Sequence, residues 1–578
     1  MEPIWKPRKL SEGAKVPSFS IEGLPPLIGE ILYSRGFVED DNIDKLLFPK
    51  LSELKDPNTI FGMDLAVERI ITAFRLKQKI CIYADFDLDG TSGLALLLRG
   101  MQLLGFEDLI YYQPKRLKDG YGFHAEAVQE LKKQNVSLII TVDVGITANQ
   151  AVDTANEIGI DVIITDHHLP LEYLPKAFVV VNPNQPQDQS GLGYLCGAGV
   201  AFYLLRALKR KIFESSDLPH NDFDLKEVLD YFTIGTLTDM VPLVDDNRVL
   251  VKHGLHVLAA TQKAGLRALL DALELSGRPL NSQDVAIRFA PKLNALSRME
   301  SGLLPIDIFL VQDKKQAQDW VSDILKNNHT RVQLQSEAEV EAVERLKNWT
   351  NSDFVIVASD NFHRGIVGLI ATKLSQNFNR PAFVGSIDED QMIVGSCRVP
   401  PGSEECLVTA LGSVEEILTR FGGHSAAAGF ELPLNEFENF VQKLTTHFEE
   451  MKKSPKAPEF FYDSHAAVAD LSHHLMKWYE FVGPFGAGFQ IPMLRLNSLF
   501  LKNKKELKGG HYRLTMVDQD QAKAIECLLF SPSARQFSVL TSGAEYFDII
   551  GELQWNYFAG KKNIQFLVKD LKVSQHEH

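Results

Sequence analysis

The stretch from Lys79 to Thr165 constrains the fold more than any other part of the chain. Lys79–Ala84 is a short apolar run closed by a polar turn, which reads as a buried strand. A helical pattern from 92 to about 105 follows, then a strand near Leu109–Tyr112, a helix over 125–134 and a strand over 137–142. A further helix over 147–158 leads to a strand at Asp161–Thr165. Strands alternating with helices over short connections predict a parallel sheet covered on both faces. Ligands of such sheets bind beyond the carboxyl ends of the strands.

Those ends carry acids and histidines. Directly after the first strand comes Asp85-Phe86-Asp87-Leu88-Asp89-Gly90. Three carboxylates at alternate positions in one loop repel one another unless a cation lies among them. A calcium loop is the bland reading, but its twelfth position needs Glu and here holds Leu96, inside an apolar helix. Asp143 ends the strand over 137–142, and Asp166-His167-His168 ends Asp161–Thr165. Taken singly, such residues are helix caps or ordinary hydrogen-bonded side chains. All of them on one edge of one sheet are harder to ascribe to accident. Asp and His without thiolate suit Mg²⁺ or Mn²⁺ better than structural zinc. Asp239, in Gly235-Thr236-Leu237-Thr238-Asp239-Met240-Val241-Pro242-Leu243, places one more acid after an apolar segment.

At 578 residues the chain is too long for one core. The first sixty or so residues are punctuated by proline. Residues 313–350 contain neither Gly nor Pro and repeat apolar residues at helical spacing, which predicts one long helix or two in series. A second α/β pattern occupies roughly 352–452. After about 458, alternating segments such as Tyr512, Leu514, Met516 and the run 546–553 suggest a small antiparallel barrel. The formal net charge of −15 neither supports nor excludes nucleic acid, because binding needs only a local basic strip. No apolar run reaches the ~20 residues that span a bilayer, so no membrane partner is expected. Five scattered cysteines without a C-x-x-C pair argue against a disulfide framework and suit a reducing cytoplasm.

The motifs Asp-x-Asp-x-Asp-Gly, Val-Asp-x-Gly-Ile, Asp-His-His and Gly-Thr-x-x-Asp-x-Val-Pro-Leu, in this order, resemble those of the Asp-His-His (DHH) phosphoesterases. Gly422-Gly423-His424 is similar to the signature of the DHH-associated domain that closes over that site. Further segments resemble the RecJ-type exonucleases within this superfamily: Asp119-Gly120-Tyr121-Gly122, Cys196-Gly197-Ala198-Gly199, Pro291-Lys292-Leu293-Asn294-Ala295, His363-Arg364-Gly365-Ile366-Val367-Gly368 and Pro484-Phe485-Gly486-Ala487-Gly488. The resemblance spans about residue 46 to the C-terminus. It implies an α/β fold: a parallel-sheet DHH domain and a DHH-associated α/β domain joined by a long helix, followed by an OB-fold β-barrel. The expected boundaries are an N-terminal segment over 1–60, the DHH domain over 61–250, a helical connector over 251–350, the associated domain over 351–455 and the barrel over 456–578.

The resemblance further implies a metal-dependent exonuclease that degrades single-stranded DNA from its 5′ end. Two divalent ions, Mn²⁺ or Mg²⁺, would share Asp143; Asp87, His167 and Asp239 would complete one, and Asp85 would serve the other. Asp89 and His168 would stand close by as outer ligands or phosphate contacts. Arg116, Ser396 and Arg398 would hold the 5′-phosphate, with Arg298 and His424 as further phosphate contacts. Without the motif context, Arg116 and Arg398 read as surface arginines. In the tail, Lys502, Lys504, Lys505, Lys508, Arg513, Trp555, Tyr557, Lys561 and Lys562 either track a strand by charge and stacking or form a solvated loop beside barrel aromatics. A monomer is expected, with single-stranded DNA, a helicase and a single-strand-binding protein as partners.

Several positions depart from the family pattern. Val144 stands where Asn or Cys is common, Leu296-Ser297 precedes Arg298 where a Gly is common, and Val399 follows Arg398 in place of Ser. Cys81 occupies a slot that often holds His, which leaves the first metal's ligand set open. Two rivals remain: a DHH hydrolase of very short oligonucleotides or nucleotide phosphates, and a non-catalytic scaffold. The barrel weighs against the first and the intact acid cluster against the second. A dinucleotide enzyme fails for want of G-x-G-x-x-G after the first strand.

Overall fold

Ile80, Cys81, Ile139, Ile140, Ile163 and Ile164 are all buried, so the strands that carry them are covered on both faces. The computed structural model describes residues 2–8, 19–116, 118–215, 218, 223–299, 302–351, 353–451, 458–518, 523–558 and 561–575. They divide into two compact units, one of residues Pro57–Asp239 and Val257–Pro455, the other of Met1–Asp56, Met240–His256 and Lys456–His578.

In the first of these units, five parallel strands lie in the order Leu109–Tyr112, Lys79–Ala84, Val136–Val142, Asp161–Thr165, Val179–Val181. The chain adds its second strand on one side of the first and all later strands on the other. The reversal opens a crevice at the carboxyl ends of Lys79–Ala84 and Val136–Val142, the place where sheets of this order bind ligands. Val128, Leu131, Val152 and Ala155, from helices Ala125–Lys133 and Asn149–Glu157, cover one face together with Cys81 and Tyr83. Leu88–Leu103 packs against Gly197–Glu214 and Leu229–Asp239. That helix begins four residues before the expected 92, because the Asp87 side chain accepts the N–H of Asp89 and Gly90 and caps it at Leu88. The short Val179–Val181 strand was not expected.

The helix Lys314–Arg345 runs 32 residues, capped by Asp313, whose side chain accepts the N–H of Gln316. It is about 48 Å long. A 3₁₀ turn, Leu346–Asn348, follows it, so the Gly- and Pro-free stretch is one long helix and a turn. The unit's second sheet is mixed, in the order Arg420–Gly423, Ala427–Pro433, Met392–Arg398, Ala382–Ile387, Val355–Ser359, with only the last pair parallel.

In the other unit, strands Met493–Leu507, His511–Val517, Ala524–Leu529, Lys561–Val573 and Tyr546–Phe558 pair in turn, and the last pairs back with the first to close a five-stranded barrel. Closure removes the exposed edges that an open sheet presents. Leu27, Ile31 and Leu32 of helix Pro26–Ser34 share the barrel's apolar core with Leu475, Met476 and Tyr479. The strand Ile4–Pro7 pairs in parallel with Glu459–Tyr462. The segment Met240–His256 is bound into this unit: Leu243 N–H donates to the carbonyl of Ala487 at 2.7 Å, and Arg248 donates to the carbonyls of Val482, Gly483 and Pro484. Among the described residues no helix is long and apolar enough to cross a membrane.

Candidate metal centre

Each chemical group at the sheet edge is positioned by backbone geometry that its neighbours enforce. Asp143 follows the Val136–Val142 strand with φ 62°, a left-handed conformation that Asp tolerates better than most residues. Gly197, at the start of Gly197–Glu214, lies against it; a β-carbon there would sit 2.4 Å from Asp143 Cβ. Only glycine fits, which accounts for the Cys-Gly-Ala-Gly segment. Asp89 accepts the N–H of Gly197 at 2.6 Å and of Ala198 at 2.9 Å, so this helix N-terminus holds its carboxylate on both oxygens. Asp166 is fully buried and accepts the N–H of Ile146, His167 and His168, and it pairs with His168 Nδ1 at 2.7 Å. Asn182 and Asn184 donate to the carbonyls of His168 and His167 and so hold the same loop.

The side chains converge. His167 Nε2 lies 3.1 Å from Asp143 Oδ1, 3.7 Å from Asp239 Oδ2 and 3.9 Å from Asp89 Oδ2. Asp85 Oδ1, Asp143 Oδ1 and His167 Nε2 are nonetheless buried without a hydrogen-bond partner among the described residues. Ligand atoms that share one octahedral ion at ~2.1 Å lie about 3 Å from one another, so the spacing fits a common cation. Three groups have ligand atoms within 4.8 Å of one another: Asp85, Asp87 and Asp143; Asp89, His167 and Asp239; Asp143, His167 and His168. Asp143 stands in two of them. Asp87, expected with His167 and Asp239, stands in the group with Asp85 and Asp143, and its Oδ1 also accepts the N–H of Asp89 and Gly90. Cys81, in the slot that often holds His, is buried in the apolar cluster under the sheet, away from these groups.

The electrostatics carry the same message. Burial, then repulsion from Asp87, pushes Asp85 up to about 8. Burial, then Asp87, pushes Asp239 to about 6. Burial with Asp239, and burial with Asp89, hold Asp89 and Asp143 well above the usual carboxylate range. Burial, then the charge of His168, lowers His167 to about 4, so its ring is neutral near pH 7 and offers a lone pair. Carboxylates that resist ionisation and a neutral imidazole, with Asp85 Oδ1, Asp143 Oδ1 and His167 Nε2 unpartnered, form a donor set that divalent cations would relieve. The residues fit such ions.

A positive pocket accompanies the acids. Arg398 Nη1 donates to Ser396 Oγ at 2.7 Å and to the carbonyl of Cys397 at 2.8 Å. Arg298 donates to the carbonyl of Gly365 at 3.2 Å. Burial, followed by the charges of Arg116, Arg331 and Arg398, disfavours the charge on Arg298. Arginine stays protonated in proteins, so the cluster retains its positive charge and attracts an anion. Arg116 lies 4.5 Å over the Phe86 ring and feels both Asp87 and Asp85. The His424 ring stacks 6.2 Å from that of His168 at an interplanar angle of 6°, which brings the Gly-Gly-His segment to the acid cluster. Sequence reasoning left out Asp166, the organiser of the loop, and Arg331 on the long helix. The Asp-His-His triplet itself signalled the first, and nothing local signals the second.

On the barrel, Tyr512 and Trp555 pack against the core, and Lys562 Nζ lies 4.0 Å over the Trp555 ring. Lys502, Lys505 and Lys508 are exposed, while the side chain of Lys561 lies outside the described residues.

A parallel sheet whose strand ends gather carboxylates and a neutral histidine, beside an arginine pocket, defines a two-metal phosphoesterase. Residues 79–236 match the DHH family, N-terminal domain, residues 351–450 the DHHA1 domain, and residues 462–570 the RecJ OB domain. The single-stranded-DNA-specific exonuclease RecJ of Bacillus subtilis is 31% identical over 562 residues, covering 96% of this chain and 68% of the relative. That of Salmonella typhimurium is 28% identical over 579 residues, covering 98% of both. The crystal structure of RecJ in complex with Mn²⁺ from Thermus thermophilus superposes with a TM-score of 0.79 at 26% identity, covering 96% of this chain and 76% of that one. The chain belongs to the RecJ family.

Proposed function

We propose that this chain is a metal-dependent exonuclease that hydrolyses single-stranded DNA in the 5′ to 3′ direction, releasing 5′-mononucleotides in DNA repair and recombination. The observation that carries the reading is the convergence of unpartnered ligand atoms from Asp85, Asp143 and His167. Asp85, Asp87, Asp143, His167 and Asp239 hold two divalent ions, Mn²⁺ or Mg²⁺. When bound, the ions supply positive charge to the scissile phosphodiester and to the attacking water. Asp89 braces the centre through its two backbone hydrogen bonds, and His168, charged and fixed by Asp166, faces the substrate phosphate.

Chain-end specificity comes from a pocket that holds a terminal phosphate, with Arg116, Arg298, Ser396, Arg398 and His424 as its donors. Arg suits that task because its planar fork meets phosphate oxygens two at a time. The barrel tracks the strand through exposed lysines and ring faces. A helicase would supply the single strand, a single-strand-binding protein would accompany it, and the setting is the cytoplasm.

Digestion of DNA oligomers labelled at either end, with Mn²⁺ or with chelator, tests the reading. Early release of mononucleotide from the 5′ label, with duplex spared and chelator blocking, supports it. Cleavage of dinucleotides or nucleotide phosphates alone moves the protein to a short-substrate hydrolase, and strand binding without hydrolysis to a scaffold.

A further inference from the structure

The two glycines of residues 363–368 sit against the arginine pocket, Gly365 beside Arg298 and Gly368 beside Arg398. Gly368 lies in the first turn of helix Val367–Phe378. Its backbone is helical, where alanine is favoured by roughly 1 kcal/mol, so the glycine weakens the element that carries it. The space beside it gives the reason. A β-carbon at Gly368 would stand 3.1 Å from Arg398 Nη2 and 3.3 Å from Ser396 Oγ. Both are contacts tighter than ordinary van der Waals distance, and the neighbours are not free to retreat. Arg398 Nη1 is bound to Ser396 Oγ and the Cys397 carbonyl, and Ser396 Oγ donates to the Ala428 carbonyl at 3.2 Å. Arg398 Nη2, by contrast, has no protein partner among the described residues, and it is the atom nearest the glycine.

We propose that Gly368 is a specificity-determining residue for the 5′-terminal phosphate. Its missing side chain leaves clear the approach to Arg398 Nη2 and Ser396 Oγ, where an oxygen of the terminal phosphate accepts. A phosphate oxygen must come within about 2.9 Å of a guanidinium nitrogen to take a charge-assisted hydrogen bond. A methyl group in the same space forces the guanidinium or the anion aside. Internal phosphodiesters at the hydrolytic centre do not depend on that space. The inference rests on the reading of Arg398 and Ser396 as the terminal-phosphate site.

The test compares Gly368→Ala and Arg398→Ala in the full chain with Mn²⁺, on one oligomer carrying either a 5′-phosphate or a 5′-hydroxyl. Gly368→Ala is expected to lower the phosphate-to-hydroxyl ratio of kcat/KM at least tenfold, mainly through KM on the phosphorylated strand. Its melting temperature should change little, because the helix propensity gained offsets the tight contact. If Arg398→Ala lowers the ratio and Gly368→Ala does not, the pocket stands and the inference about Gly368 is overturned. If Gly368→Ala slows both strands equally, its effect is structural and the inference fails. If neither variant changes the ratio, the terminal-phosphate site itself is wrong.

Discussion

Replacing Asp166 with Asn removes one charge and almost no volume from the loop that presents both histidines. Burial works against a charge on His168, but the hydrogen bond and the charge of Asp166 outweigh it and carry the ring from 6.5 up to about 9. Burial likewise works against Asp166, which the same contact nevertheless holds below the usual carboxylate range. The rise on His168 corresponds to about 3 kcal/mol at ~1.36 kcal/mol per pH unit, trimmed to about 2 kcal/mol by the ring's partial exposure. The folded-state pKa of His168 is raised, so its contribution is full below 6.5 and is lost as pH climbs through about 9. The depressed Asp166 contributes above the ordinary carboxylate range and loses that contribution in acid. The pair therefore stabilises the loop across neutral pH. In metal-free protein with chelator, Asp166→Asn is expected to cost about 2 kcal/mol more in urea unfolding at pH 7 than at pH 10, where the loss that remains is that of the backbone N–H groups Asp166 accepts. Carbon-13 histidine NMR should show His168 titrating about two pH units lower. An equal loss at pH 7 and pH 10, or a His168 that still titrates near 9, would refute the reasoning.

Asp143→Asn should abolish Mn²⁺-dependent hydrolysis, by at least about 10³-fold, while the metal-free protein melts no lower than its parent. Asn accepts the left-handed backbone that Ala would strain, and it removes a buried carboxylate that its neighbours repel; activity within tenfold of the parent would remove Asp143 from the centre. Mn²⁺ affinity should strengthen as pH rises through about 6 and about 8, where Asp239 and Asp85 give up their protons, with proton release on binding. Calorimetry in two buffers of different ionisation enthalpy measures that release, and a pH-independent affinity would count against these ligands. Gly197→Ala should weaken Mn²⁺ binding, because its β-carbon displaces Asp143; unchanged affinity would show that the close approach is dispensable.

The strands of the parallel sheet were legible because each is a short apolar run ending in a polar turn, and both faces of each are covered. The acids at their ends followed from that placement. The start of the Leu88–Leu103 helix was not legible, since Asp87 serves both as helix cap and as a member of the acid cluster, and only the second role was read. Asp239 comes from a helix C-terminus, before Met240 at φ 62°, so no rule about strand ends could have placed it. Asp166 has every oxygen bond directed inward to the loop, a role that a motif read as ligands hides. Arg331, whose charge Arg298 feels, stands on a polar helix 32 residues long, where one arginine looks like any other. The segment Met240–His256 joins the barrel unit through carbonyls more than two hundred residues away in sequence. Local periodicity carries no trace of that pairing.

Crystals grown with Mn²⁺ and measured at the manganese absorption edge test the central claim most directly. Two anomalous peaks are expected in contact with the carboxylates and ring of Asp85, Asp87, Asp143, His167 and Asp239, with Asp143 touching both, and neither peak should survive in Asp143→Asn. A fully occupied single peak away from these residues, or none at a Mn²⁺ concentration that supports hydrolysis, would contradict the account.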